Sequence, residues 1–283
     1  SSGARRVMAS PRIAVVTGAN KGIGYEIARG LGQAPGWLCI MACRSPSQGQ
    51  AAAAQLQAEG CRVHFLMALD LDDRASVAAF AHQLQAQYGG IDALVNNGAI
   101  AFKAKDPTPF QQQARPTLHT NFFGTVAVCD ALVPLIRKGG CIVNVASIAG
   151  CLGRYSPALT AKLTDPQLSR QELGNLMDQF VVDVEAGAHR QAGWPDTCYG
   201  VSKCGVIAFT RILARELQPK GVAVHSMCPG YCATDMSSHG GPRSPAQGAD
   251  TAVFLTLNPQ AGATGRFWYE RRPYDWAQGQ RPW

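Results

Sequence analysis

Tyr199 and Lys203 stand four residues apart in "DTCYGVSKCG". Four residues make about one helical turn, so the two side chains share a helix face. A phenol is a poor acid at neutral pH, with a reference pKa of about 10. A nearby ammonium stabilises the phenolate and makes the proton easier to give. Ser147 follows the apolar run "CIVNVA", and Asn121 lies in a helical stretch ahead of it. A serine hydroxyl can hydrogen-bond the same carbonyl oxygen that a tyrosine protonates. Taken singly, each residue has an ordinary reading: core ring, surface lysine, turn cap, helix cap or kink. Taken together, they describe a centre that protonates a carbonyl oxygen and needs a hydride for the carbon.

The front half of the chain offers a place for the hydride source. "TGANKGIG" puts Gly18, Gly22 and Gly24, with Asn20, Lys21 and Ile23 between them, straight after a strand-like run and at the start of a helix. Glycine permits tight turns and close approach of phosphate oxygens, and a helix N-terminus presents free N–H groups to an anion. The Lys-Ser/Thr ending of a mononucleotide phosphate loop is absent, which argues against ATPase or GTPase chemistry. The spacing also differs from G-x-G-x-x-G, yet strand–glycine–helix context favours a dinucleotide over a plain turn. The second strand ends in "ACRS", where Arg44 suits a 2′-phosphate better than an acidic residue would. Lys21 adds a second positive charge, so the two turns favour NADPH over NADH. Asp70, followed by Leu71, ends the third strand, where it suits an adenine amine or caps the helix over 72–87. Asn97 and Gly98 in "NNGAI" close the fourth strand and leave room for a flat ribose or ring.

These residues need a scaffold that brings strand ends together. Short apolar runs at 12–17, 37–42, 62–70, 91–98 and 141–147 alternate with helical patterns, as parallel strands with crossovers do. A helix is expected around 117–138, another from 168 to 188, and one from Tyr199 to about Leu217. "GVAVHSMCPG" and "GRFWYE", 265–270, complete seven strands. The expected fold is α/β: a Rossmann-type, doubly wound, seven-stranded, mostly parallel sheet with helices on both faces. Residues 151–195 break the rhythm and hold too few apolar residues for a core of their own. The chain is therefore read as a single domain over 1–283. It has a flexible N-terminal extension at 1–11, a helical insertion at 151–195 before the catalytic tyrosine, and a substrate loop at 231–245.

Composition bounds the function. The net charge of +7 is spread thinly and suits an anionic ligand, while no basic–aromatic stripe supports nucleic acid. Ten cysteines include no CxxC pair and several lie in apolar runs, so a reducing, cytoplasmic setting is favoured over disulfides. No cysteine–histidine spacing matches a standard metal site. No run of eighteen apolar residues appears, so no membrane span is expected.

The blocks "VVTGANKGIG", "GIDALVNNGAIAFK", "TNFFGT", "IVNVASI", "CYGVSKCGV" and "CPGYCATDM" recur in order at compatible spacing. Over nearly its whole length the chain resembles a short-chain dehydrogenase/reductase, and most closely the monomeric NADPH-dependent carbonyl reductases. The gap of 52 residues from Ser147 to Tyr199 resembles that group, whose helical insertion covers the surface through which relatives form tetramers. The resemblance implies Asn121, Ser147, Tyr199 and Lys203 as catalytic residues and a monomer using NADPH (NADP+). It implies hydride transfer from nicotinamide C4 to a ketone, aldehyde or quinone, with Tyr199 as proton donor. Lys203 would hold ribose hydroxyls and lower the Tyr199 pKa, and Asn121 would hold the water of a proton relay. Val145 and the segment 229–236, through Pro229, Gly230, Cys232, Thr234, Asp235 and Met236, would line the cofactor. Ser147, Ile148, Ala149, Trp194, Tyr199 and Tyr231 would line the substrate.

Two other readings use the same residues. One is an NADP-dependent alcohol or hydroxysteroid dehydrogenase with a narrow substrate; the other is a nucleotide-sensing or scaffold protein. The family's usual "NNAG" order is "NNGA" here. If that turn needs a positive φ at its second position, Ala99 carries strain.

Overall fold

The computed structural model describes residues 10–103 and 105–278, so nearly all of the extension expected at 1–11 lies outside the described residues. The glycine turn and the reaction centre meet because of the strand order. Eight strands run in the order β3-β2-β1-β4-β5-β6-β7-β8. They are β1 (Arg12–Thr17), β2 (Trp37–Cys43), β3 (Val63–Ala68), β4 (Ile91–Asn96), β5 (Ile136–Val145), β6 (Ala223–Cys228), β7 (Phe267–Tyr269) and β8 (Arg272–Pro273). The first seven are parallel neighbours, as expected. The two-residue β8 adds an antiparallel edge. Order reverses between β1 and β4, and ligands of open α/β sheets bind outside the carboxyl ends of strands at such a point.

Central strands read as unbroken apolar runs because helices cover both of their faces. One face carries α1 (Gly22–Gln33), α2 (Pro46–Ala58) and α9 (Pro245–Leu257). The other carries α3 (Arg74–Tyr88), α4 (Phe110–Leu118), α5 (Gly124–Leu132) and α8 (Cys198–Leu217), with α6 (Pro157–Thr164) and α7 (Arg170–Glu185) of the insertion outside them. Leu163, Leu173, Phe180 and Trp194 of the insertion are buried in one cluster with Phe209 and Leu213 of α8. The apolar residues of 151–195 thus share the sheet's core.

Some boundaries depart from the sequence reading. The helix expected at 117–138 begins at Phe110, because Pro109 sits just outside its first turn. It ends near Leu135, because Ile136 pairs with Ile91 to open β5. The stretch Phe110–Leu135 is also long and apolar enough to cross a membrane, but half of that window is buried inside the protein. Helix α9 was not singled out, although Ser244 and Gln247 form a capping box around Pro245. Strand β8 escapes a sequence reading because its hairpin turn is Glu270–Arg271, at φ 48° and 59°, where Asn-Gly would be the usual signal. The Arg271–Asp250 and Arg243–Glu270 ion pairs hold that turn.

His225 on β6 is wholly buried. Its Nδ1 accepts from Trp268 Nε1 at 3.2 Å, so Nε2 carries the proton and donates to the Pro259 carbonyl at 3.3 Å. Burial holds its pKa below the ordinary histidine value. In the unfolded chain this ring takes a proton below about pH 6.5, whereas the native ring resists it. The contribution to stability is therefore present above about pH 6.5 and is lost as pH falls towards the depressed native pKa. Thermal unfolding followed from about pH 7 down to about pH 5 should show a shallower loss of Tm in His225→Gln than in the parent protein; equal slopes would remove His225 from the acid response.

Candidate active site

The turn after β1 is held by a cross-strand clamp. Asn97 N and Gly98 N donate to Thr17 Oγ1 at 3.0 and 2.9 Å, and Asn97 Nδ2 donates to the carbonyls of Thr17 and Gly18 at 3.0 and 3.2 Å. Thr17 escaped the sequence reading because nothing before folding ties a strand-end threonine to a turn 80 residues away. Gly18 adopts φ +63°, and a Cβ on Gly24 would lie 2.3 Å from the Gly18 carbonyl oxygen. Both positions therefore require glycine. Helix α1 has Lys21 at its N-cap and no side-chain cap, so its first N–H groups remain free for an anion.

A groove of about 320 Å³ runs over this turn. One wall is Gly18–Gly24 with Asn97–Ala99; the other is Ala233–Met236 with His239. Lys21 Nζ reaches across to Asp235 at 2.7 Å, and His239 approaches the same carboxylate at 3.1 Å. Lys21, followed by His239, holds the Asp235 carboxyl below the usual range. Lys21, which the sequence suggests as a phosphate ligand, is here paired with Asp235 across the groove, both side chains exposed. Arg44 is exposed just past β2, with no hydrogen bond or ion pair among the described residues. Beside it Ser45 caps α2, and Asn20 Nδ2 donates to Gln48 Oε1 at 2.8 Å.

Asp70 Oδ1 accepts from Asp72 N at 3.1 Å, while the cap of α3 is Asp73. The alternative role of Asp70 as helix cap is thereby filled by its neighbour. Leu71 packs where a side chain at position 98 would stand: a Cβ on Gly98 would lie 2.8 Å from Leu71 Cδ1. Ala99 has no positive φ, so the strain expected from the exchanged "NNGA" order does not arise.

Ser147 of the expected reaction centre follows β5 at the same carboxyl edge of the sheet as this groove. It accepts at Oγ from Ala149 N at 3.1 Å, and its side chain acts on the phenol of Tyr199 in the first turn of α8. Thr197 caps that helix by accepting from Gly200 N at 2.9 Å. Lys203, 3% exposed, donates from Nζ to the Val145 carbonyl at 2.8 Å and lies 5.6 Å from the centre of the Tyr199 ring. Burial raises the Tyr199 pKa above its ordinary value, with Cys228 adding and Ser147 opposing. Burial lowers that of Lys203 to about 8. The lowering of the tyrosine pKa expected from its lysine neighbour is reversed, because both groups are desolvated and the ammonium turns to a carbonyl. The Tyr199 phenol is consequently protonated at neutral pH.

Asn121 sits where the helix between α4 and α5 widens into a π-turn, His119–Phe123, a few residues after Pro116. Asp72 anchors that turn by accepting from Thr120 Oγ1 at 2.8 Å. Asn121 is wholly buried. Its carbonyl accepts from Thr125 Oγ1 at 2.8 Å.

Beyond β6, Gly230 adopts φ +77°, and its N–H donates to Cys228 Sγ at 3.3 Å. Burial pushes the Cys228 thiol up, so it is protonated at neutral pH. Cys232 donates from Sγ to the Pro229 carbonyl at 3.3 Å, and its backbone bridges to Arg243, folding the loop back on itself. Thr234 faces Gly22 across the groove. Tyr231 is 55% exposed and Met236 is exposed beside it.

Ile148 and Ala149 are half-buried beside Ser147. Trp194 differs: it is 4% exposed, packs edge-on against Phe180 and Tyr155, and donates from Nε1 to Asp183 at 2.9 Å. Its ring fastens the insertion instead of standing on an open wall. The C-terminal segment, missed in the sequence, closes on the loop after Ser147: Leu152 N donates to the Trp276 carbonyl at 3.0 Å. Its aromatic density, "WYERRPYDW", was the available signal.

A family model described as short chain dehydrogenase matches residues 12–161 and 156–243. The chain is 44% identical over 272 residues to carbonyl reductase (NADPH) 1 of Homo sapiens, covering 93% of this chain and 98% of that one. It is also 44% identical over 254 residues to carbonyl reductase (NADPH) 3 of Mus musculus, covering 88% and 91%. Among solved structures it is similar to salutaridine reductase from Papaver somniferum, with a TM-score of 0.82 and 28% identity over 92% of this chain and 99% of that one. Menthone neomenthol reductase from Mentha piperita aligns with a TM-score of 0.77 and 28% identity, covering 92% and 98%.

Proposed function

The chain belongs to the short-chain dehydrogenase family and is an NADPH-dependent reductase of ketones and aldehydes, and from that premise we propose which of its residues bind and which react. The observation that carries the proposal is buried Lys203, held on the Val145 carbonyl at 2.8 Å and 5.6 Å from the centre of the Tyr199 ring, with Ser147 acting on the same phenol. The uncapped N-terminus of α1 and the glycine cradle at 18–24 fit a pyrophosphate, and Arg44 fits the 2′-phosphate. Bound there, NADPH supplies a hydride to the carbonyl carbon.

Ser147 Oγ and the Tyr199 hydroxyl converge on the carbonyl oxygen. Ser147 orients it, and Tyr199 gives it a proton as negative charge develops. Lys203 would donate to ribose hydroxyls from its place against Val145 and keeps a positive charge near the phenol. Asn121 would hold the water of a proton relay at the π-turn. Asp70 and Leu71 would hold the adenine end, Asn97, Gly98 and Val145 the ribose, and Pro229 to Met236 the nicotinamide end. Ile148, Ala149 and Tyr231 form the substrate wall.

Quinones join ketones and aldehydes as substrates, because the wall is open and aromatic at Tyr231. The protein is one domain and a monomer, supported by the insertion packing on α4 and α8. It acts in the cytoplasm, supported by ten cysteines that are all buried and unpaired.

NADPH oxidation is followed against a panel of quinones, ketones and aldehydes, with NADH as control. Turnover on none of them would overturn the substrate class. Arg44→Asp removes the phosphate's cation and adds a repulsive charge. It should raise the NADPH dissociation constant by on the order of tenfold to a hundredfold while leaving that of NADH within about threefold. Equal changes for both cofactors would show that Arg44 does not read the phosphate.

A further inference from the structure

Ser202 lies between Tyr199 and Lys203 in the sequence, yet it points to neither reactant. It is wholly buried on the inner face of α8. Its hydroxyl donates to the carbonyl of Tyr199 at 2.7 Å and accepts from Asn121 Nδ2 at 3.0 Å. Asn121 in turn donates from Nδ2 to the Ile100 carbonyl at 2.9 Å and accepts at Oδ1 from Ile100 N at 2.8 Å. Both amide hydrogens of Asn121 are thus used, and the orientation of the serine hydroxyl is fixed from both sides. Ile100 directly follows Ala99, which lines the groove. One hydrogen-bonded chain therefore links the groove wall, the π-turn and the backbone of the tyrosine itself, with no solvent to substitute for a lost member.

We propose that Ser202 is a positioning residue for carbonyl reduction. It locks the first turn of α8 to the Ile100–Asn121 clamp, so that the Tyr199 phenol stands at the height of the hydride donor's groove. A helix turn fixed only by its cap at Thr197 can rotate or slide. A second tie at the tyrosine's own carbonyl removes that freedom, and misplacement by a fraction of an ångström costs rate more than binding. The inference rests on the reading of Tyr199 as proton donor.

In Ser202→Ala the amide of Asn121 loses a partner and the tyrosine carbonyl loses its tether. With NADPH and a ketone substrate, kcat should fall by roughly tenfold. KM for the ketone and Kd for NADPH should stay within about twofold. Ser202→Thr, which keeps the hydroxyl, should recover most of the loss. Should Ser202→Ala fail to fold, Ser202→Cys is read in its place, since a thiol keeps the size but is a weak donor and acceptor. An unchanged kcat overturns the proposal. So does a parallel loss of kcat, NADPH binding and Tm that Ser202→Thr does not recover. Tyr199→Phe measured alongside separates the two readings: full turnover there overturns the role of Tyr199. An inert Tyr199→Phe with an unaffected Ser202→Ala overturns only that of Ser202.

Discussion

Tyr199→Phe should lower kcat for ketone reduction by on the order of 10²–10⁴-fold while leaving NADPH affinity within about twofold. The size follows from what is removed. The ring stays, and with it the packing at the mouth of α8; only the hydroxyl goes. That hydroxyl is a buried, protonated donor on which Ser147 acts. Burial keeps it protonated at neutral pH, so the parent enzyme holds the donor in its active state. Without it the developing oxyanion has Ser147 alone and no proton to accept. Cys228 is also protonated beside Ser147. If it substituted as donor, Tyr199→Phe would retain substantial turnover, and its loss in the double variant with Cys228→Ala would identify the thiol. Single-turnover absorbance of NADPH measures the chemical step, and fluorescence titration measures binding.

Lys203→Met should cost on the order of 10²-fold in kcat and should also change the pH profile. The amine is held to a pKa of about 8 by burial. Below that value it is ammonium; above it, neutral. The direction is therefore a loss of function as pH rises. In the parent, kcat/KM for NADPH, which reports the free enzyme, should fall about tenfold per unit above pH 8. The other titratable groups at this centre, Tyr199 and Cys228, are both pushed upward by burial. In Lys203→Met the limb near pH 8 should vanish. A limb that persists unchanged would assign the titration to another group. Methionine keeps length and apolar bulk in a site where the lysine stem is buried, so the comparison isolates the charge.

Much of the site was legible because its signals are local. A glycine turn between strand and helix, an arginine closing the second strand, and a tyrosine one turn before a lysine each state their chemistry within a few residues. Strand–helix alternation supplied the parallel sheet for the same reason: burial on both faces makes an apolar run visible. The missed parts depend on distant partners. Thr17 becomes part of the site only through Asn97 and Gly98, β8 only through Asp250 and Glu270, and the C-terminal wall only through Leu152. Trp194 shows the opposite error. Its neighbourhood reads as a substrate wall, but its indole is spent on Asp183, Tyr155 and Phe180.

The sequence by itself determined the reaction type and the cofactor, since the ordered motif blocks carry the family resemblance directly, and it nominated four residues for the centre. Tertiary structure decided how these groups stand towards one another. It turned Lys203 to the Val145 carbonyl, paired Lys21 with Asp235, and raised the Tyr199 pKa against the expectation drawn from its neighbour. It also revealed Ser202 as the link between Asn121 and the tyrosine backbone. The physical reason is desolvation: the protonation and reach of a group depend on what excludes water from it, and those neighbours come from strands and helices far apart in the chain.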